Sequence, residues 1–258
     1  MTQTALIRKI VSFGVPLVVW LAIWAILPYL NLIDPTFLPT PLAVTAALLK
    51  LGVQTAFYQD LGVTLFRSLA GLALGILIGV PLGAWMAASR YAEGFFNPIV
   101  KSTYSLPKTA LVPLLMLWFG IGNTTSILAV MLSTELPMVI YTYHAVQDTP
   151  RILLWSARGM GTPRHDLMWL VRLPASLHGI LTGARIALGF SFVIAVAAEM
   201  IAAKLGIGKL IFMFGENGSY DYMFAAVMAI VVAACASDAL LVALTNYLLR
   251  WQDTDRQS

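Results

Sequence analysis

The chain has 258 residues, 59% of them hydrophobic and only 11% charged, with a mean hydropathy of +0.83. A soluble domain carries about 25% charged residues, so the composition excludes one and describes an integral membrane protein; at about 20 residues per span the length holds about five to seven helices and no second soluble domain. The net charge of +4 comes from bases scattered between apolar runs, which excludes a nucleic-acid patch and fits cytoplasmic loops that retain Lys and Arg. A single cysteine, Cys235, excludes an internal disulfide.

The first apolar run, Val11 to about Leu27, follows Arg8 and Lys9. It is too long for a signal-peptide core and lacks a small-residue cleavage site, so it reads as a first span with its amino end in the cytoplasm. Asn31 to Pro41 holds Pro35, Pro39 and Pro41 and is expected to be rigid and non-helical; an amphipathic stretch with the single base Lys50 runs on to about Tyr58, and this loop is expected on the outer side of the membrane. The second span, about Leu61 to Ser89, carries Gly71, Gly75, Gly79 and Gly83, continued by Ala87. Helices in lipid associate where small residues let backbones approach, so this stripe marks tight packing against another span or another subunit. Arg90, Lys101 and Lys108 return the chain to the cytoplasm. A third span is expected over roughly Thr109 to Gly120, entering the membrane from near Asn97 and ending in an outer turn of Gly120, Gly122 and Asn123; a fourth covers about Thr125 to His144.

Thr149 to Pro174 is the long non-membrane segment with a clear plan. Thr149-Pro150 and Thr162-Pro163 each place an N-cap hydroxyl before the helical position where proline is tolerated, which predicts two helix starts. The first helix is expected to end at about Gly159, with Gly159 and Gly161 supplying a sharp reversal. On the second, Leu167, Leu170 and Val171 share a face away from Arg164 and Asp166, and Asp166 suits the positive end of the helix dipole. Arg151, Arg158, Arg164 and Arg172 make this the densest basic cluster in the chain and set it in the cytoplasm.

At these residues the chain resembles the inner-membrane permeases of ABC importers. Their cytoplasmic loop reads Glu-Ala-Ala, three residues, Gly, nine residues, Ile, one residue, Leu-Pro, and Ala157, Gly161, Val171, Leu173 and Pro174 fall at those spacings. Trp155 stands where the family has Glu, and Ser156 where it has Ala. The resemblance implies that the loop is a coupling helix docking on an ATPase subunit through Trp155, Ser156, Ala157, Arg158, Gly161, Thr162 and Pro163; an ordinary amphipathic loop is the plain alternative. Leu106-Pro107, Leu111-Val112-Pro113, Leu117-Trp118-Phe119-Gly120-Ile121-Gly122 and Pro137 are similar to the subfamily serving nitrate, sulfonate, taurine and bicarbonate importers.

A fifth span is expected over about His178 to Ala203, where Gly179, Gly183, Ala187, Ser191 and Ala195 repeat the small stripe. Lys204 to Asp221 resembles the family's outer loop and includes Gly206-Ile207-Gly208 after Ala198-Glu199-Met200. A sixth span, about Tyr222 to Leu248, ends at Arg250 and Arg256, so both termini are expected inside, with Lys50, Lys204 and Lys209 outside.

Catalytic and metal signals fail. Gly208-Lys209 is followed by Leu210 instead of the Ser or Thr of a phosphate loop, and Ala203 stands where its first Gly belongs. His144, His165 and His178 have no partner at metal-ligand spacing, and no nucleophile elbow or paired acids occur. The ionisable residues within spans, Arg67, Glu135, Arg185, Glu199 and Asp238, must pair or face a cavity, because charge at that depth is costly. Pairing of Arg67 or Arg185 with one of the acids accounts for them without a substrate; lining of a transport path, by Glu135, Arg185, Ser191, Glu199 and Asp238, is the other reading.

The resemblance implies an all-α, six-span type I ABC importer permease, a single domain over 1–258 with its core at 60–250 and its coupling loop at 149–174. It further implies a multi-pass protein of the bacterial inner membrane that pairs with a second permease copy. Two cytoplasmic ATPase subunits and an extracytoplasmic substrate-binding protein would complete it, with ATP and Mg bound by the ATPase and no cofactor in this chain. The cargo would be a small solute: sulfonate- or taurine-like, nitrate-like or a small nitrogenous organic compound. An ion-coupled secondary transporter using Glu135 or Asp238 is the rival from another class, and it predicts an internal inverted repeat that the sequence does not show.

Overall fold

The computed structural model describes residues 3–30, 32–163 and 165–251. Asn31, Arg164 and Arg256, and the side chains of Arg8 and Lys9, lie outside the described residues. Every regular element among the described residues is helical. The chain divides into two units, residues 1–59 with 210–229 and residues 60–209 with 230–258.

In the first unit, α1 (Gln3–Tyr29) is 27 residues long, about 40 Å at 1.5 Å per residue, enough to cross a bilayer. The proline-rich segment after it is not helical; Asp34 closes a turn by accepting the Thr36 amide at 2.8 Å, and that bond holds the Asp34 carboxyl below its usual range. Thr40 caps α2 (Pro41–Gly52), its Oγ1 accepting the Ala43 amide, with Pro41 in the first turn. Trp24 donates to the Pro39 carbonyl at 3.0 Å, and the ring pairs Trp24–Phe224 and Phe37–Tyr220 tie this region to the first turns of α10 (Tyr220–Leu248). Before it, α9 (Ile207–Glu216) closes on Gly218, at φ 69°.

The second unit is built around α6 (Asn123–Gln147), whose Val130, Thr134, Met138, Val139 and Thr142 are buried. The glycine stripe of α3 (Thr55–Ala88) lies directly on it: a Cβ added at Gly71 would meet Val130, at Gly75 Thr134, at Gly79 Met138, and at Gly83 the Val139 carbonyl and Thr142. On another side of α6, α8 (Leu173–Ala202) sets Gly179 against Ala145 and Gly183 against Tyr141, and its Ala187, Ser191 and Ala195 are fully buried. Both small stripes therefore receive the same helix within one chain. Close backbone approach is what substitutes for the hydrophobic effect between helices in lipid.

The third expected span is shorter and more broken than its composition suggests. Ser89 caps an unforeseen amphipathic helix, α4 (Arg90–Tyr104), held to α6 through Glu93, Tyr143 and Gln147. A 3₁₀ turn, Lys108–Leu111, and the eight residues of α5 (Val112–Phe119) follow. Pro107 and Pro113 bracket that turn and prevent one continuous helix from forming. Val112 and Leu115 pack with Ala129, Val130, Ile194, Ala195 and Ala198. Thr55–Ala88, Asn123–Gln147, Met168–Ile201 and Tyr220–Leu248 are long and apolar enough to cross a membrane.

Candidate functional site

The loop between α6 and α8 begins with α7 (Arg151–Gly159), bounded as the Pro150 and Gly159 positions predict. Thr149 is not its cap, however: its Oγ1 donates back to the Val146 carbonyl at 2.9 Å, closing the end of α6. The helix stops in a Schellman turn, with the Thr162 amide on the Ala157 carbonyl and the Gly161 amide on the Arg158 carbonyl, both at 3.0 Å. Gly161 sits at φ 87° as that motif requires, whereas Gly159 is still helical. Ala157 is the buried anchor; Ile152, Trp155, Ser156, Arg158 and Met160 are exposed, so the helix presents an apolar strip outward.

The second arm differs from expectation. Thr162-Pro163 does not start an independent helix; a π turn over Met168–Arg172, in which the Leu173 amide reaches the Met168 carbonyl, runs straight into α8. The wider turn rotates the face, so Leu167 is buried while Leu170 is 66% exposed, and the three residues assigned to one face do not share it. Pro174 then sits in the first turn of α8, where a missing amide costs little.

A second centre joins Arg67 to Glu199, Nη1 to Oε1 at 2.8 Å, with both side chains sealed from solvent. Thr64 Oγ1 donates to Glu199 Oε2 at 2.8 Å and accepts the Ile207 amide at 2.9 Å; Oε2 also accepts the Gly208 amide at 3.0 Å. Arg67 donates further to Asn123 Oδ1 and the Leu205 carbonyl, and Asp60 Oδ1 accepts the Gly206 amide at 2.6 Å. Gly206, at φ 125°, leaves no room for a Cβ beside the Glu199 carboxylate, and Gly208 none beside the Val196 carbonyl. The Gly-Ile-Gly segment is thus bound by its backbone amides to a fully paired buried charge. Asp60, Thr64 and Arg67 recur at helical spacing within an apolar run, a signal the sequence reading passed over.

The other expected path residues are placed differently from one another. Ser191 is buried and bonds the Leu188 carbonyl within its own helix, and Glu199 belongs to the centre just described. Arg185 and Asp238 pair with each other on exposed surface. Glu135, half-way along α6, is half-buried and makes no hydrogen bond or ion pair among the described residues; Lys108 supplies the opposing charge that acts on it.

Residues 75–254 match the model of the binding-protein-dependent transport system inner membrane component family. The chain is 34% identical over 240 residues to the taurine transport system permease protein TauC of Escherichia coli, covering 91% of this chain and 87% of that one. It is 27% identical to a putative aliphatic sulfonates transport permease protein, SsuC, of Bacillus subtilis, covering 91% and 85%. Its fold matches a chain of the MetNI methionine ABC transporter in an inward facing conformation, with a TM-score of 0.68 at 18% identity, over 76% of this chain and 98% of that one. With its four long apolar helices and this match over most of its length, the chain belongs to the binding-protein-dependent inner membrane components, the permeases of ABC importers.

Proposed function

We propose that the chain forms the translocation path for a small, taurine-like sulfonate, as a homodimer with two cytoplasmic ATPase subunits and an extracytoplasmic binding protein. The observation that carries the cargo class is the 34% identity to the taurine permease over 91% of this chain. The ATPase subunits hold ATP and Mg and perform the only catalysis. Both termini lie in the cytoplasm; a cysteine at position 209 that reacted only from the cytoplasmic side would reverse this orientation. An ion-coupled mechanism finds no support, since Asp238 is paired and the relatives are ABC permeases.

In this reading the exposed strip of α7 docks on the ATPase, and the connection to α8 transmits its motion. One Schellman turn and one π turn separate α7 from the long helix, so a displacement of α7 becomes a rigid-body movement of α8 and access alternates. Gly161→Leu leaves the bundle folded, because no atom lies within 4 Å of the added Cβ. Forcing a side chain into the left-handed region strains the turn by about 1–2 kcal/mol. The expected result is loss of ATPase on co-purification. Retained ATPase with undiminished substrate-stimulated hydrolysis would sink the docking role.

Glu135 is assigned to the path. Arg67 and Arg185 are committed to other acids, and Lys108 acts on Glu135 only at a distance, so a carboxylate with no ion pair among the described residues half-way along a span belongs beside water. In its ionised form Glu135 would oppose a bare anion such as nitrate and favour a solute that also carries an amine. ATP-driven taurine uptake in proteoliposomes tests both statements: uptake in the parent, and altered uptake with normal assembly in Glu135→Gln. Absence of uptake in the parent rejects the cargo, and unchanged uptake in the variant rejects Glu135.

A further inference from the structure

Arg185 and Asp238 form a two-pronged ion pair, Nε to Oδ1 at 2.6 Å and Nη2 to Oδ2 at 2.7 Å. It bridges α8 and α10, and Arg185 stands half-way along Met168–Ile201, about 25 Å from either end. Charges at such depth face the bundle interior or water, because hydrocarbon solvates them poorly. Yet the two side chains are 58% and 36% exposed, so nothing among the described residues covers them. A charged surface left open at that depth suits a water-lined path and not lipid.

Two further observations distinguish this pair from the Arg67–Glu199 centre. Neither Arg185 nor Asp238 makes any other side-chain hydrogen bond among the described residues, whereas Arg67 and Glu199 are each held by additional partners. Opening the outer pair thus leaves no scaffold group unsatisfied except its own two charges. One turn away on each helix, Gly189 and Ala234 belong to an apolar cleft of about 450 Å³ between α8 and α10, lined also by Phe192, Val193 and Ile230; it borders the pair and has the volume of a small solute without contributing a charge of its own. A Cβ at Gly189 would meet nothing within 4 Å, so the approach to Arg185 is open.

We propose that Arg185–Asp238 is a latch for a small zwitterion carrying an anionic and a cationic end, an inference that deepens the taurine-like reading above and rests on it. The anionic end of the solute replaces Asp238 at the guanidinium, and the cationic end takes the released carboxylate. Every charge stays paired throughout the exchange. A plain anion satisfies Arg185 but leaves Asp238 without a cationic partner, so it gains one charge contact where a zwitterion gains two and competes less well for the site. The site discriminates by the second charge of the cargo, which a lone arginine could not do.

The chain's own Cys235 reads this surface: it is exposed on α10, three residues from Asp238 and about 60° around the helix. In transporter assembled with its ATPase in proteoliposomes, the membrane-impermeant 2-sulfonatoethyl methanethiosulfonate should modify Cys235. Taurine should slow that reaction severalfold, and isethionate, which has a hydroxyl in place of the ammonium, should slow it less. Asp238→Asn should erase the advantage of taurine over isethionate, and Asp238→Glu, which keeps the charge, should retain it. An unreactive Cys235, labelling indifferent to taurine, or an advantage that survives in Asp238→Asn overturns the latch. Taurine uptake by the parent in the same vesicles separates the two readings. Uptake without protection rejects the latch alone, and absent uptake rejects the cargo and the latch with it.

Discussion

Arg67→Met should cost the permease most of its stability. The substitution leaves Glu199, 1% exposed, with the Thr64 hydroxyl and the Gly208 amide but no opposite charge. Breaking a buried ion pair by removing one partner costs about 3–5 kcal/mol, a large share of the roughly 5–15 kcal/mol that holds a folded domain together. The damage is not confined to the pair, because the Leu205 carbonyl and Asn123 also lose their donor. Thermal unfolding of the detergent-solubilised protein measures it. Arg67→Met combined with Glu199→Met should recover part of the loss, since two apolar groups leave no stranded charge. A single variant as stable as its parent would show that the centre contributes nothing to holding the Gly-Ile-Gly segment.

The second large effect is expected at Gly75. A Cβ there would collide with Thr134 Oγ1 and reach 3.0 Å from the Glu135 backbone nitrogen, an atom that cannot move without the helix. Gly75→Leu therefore has to push α3 and α6 apart, and the yield of folded protein in the membrane should fall to a small fraction of the parent's. Gly62, on the same helix with nothing within 4 Å, supplies the comparison. Gly62→Ala should be neutral or stabilising, by up to about 1 kcal/mol from helix propensity. Equal yields for the Gly75 and Gly62 variants would mean that the stripe tolerates separation and is not the packing seam.

The loop over residues 149–174 was legible because its information is local. Pro150, Gly161 and the turn between them are dictated by backbone rules acting over a few residues, and α7 ends where those rules place it. Thr149 misled because a threonine hydroxyl can bond forward to cap a helix or backward to close the one before, and only the geometry of the end of α6 selects between these. The second arm misled for a related reason. Thr162-Pro163 is a valid start signal, and helical residues do resume at Asp166, but they pass through the π turn at Met168–Arg172 into α8, and a π turn has no local sequence mark.

The amino-acid sequence by itself determined the membrane class, most of the spans, the two small-residue stripes and the family motif, because each follows from composition or from a short period along one helix. Only the tertiary structure decided that both stripes grip α6. It alone assigned Arg67 to Glu199 and Arg185 to Asp238, and it left Glu135 without an ion pair among the described residues. Arg67 and Glu199 stand 132 residues apart, and the period of a helix shows which face a charge occupies without showing which other helix meets that face. Exposure, which separates the sealed pair from the open one, depends on every helix around them and is set only when the bundle closes.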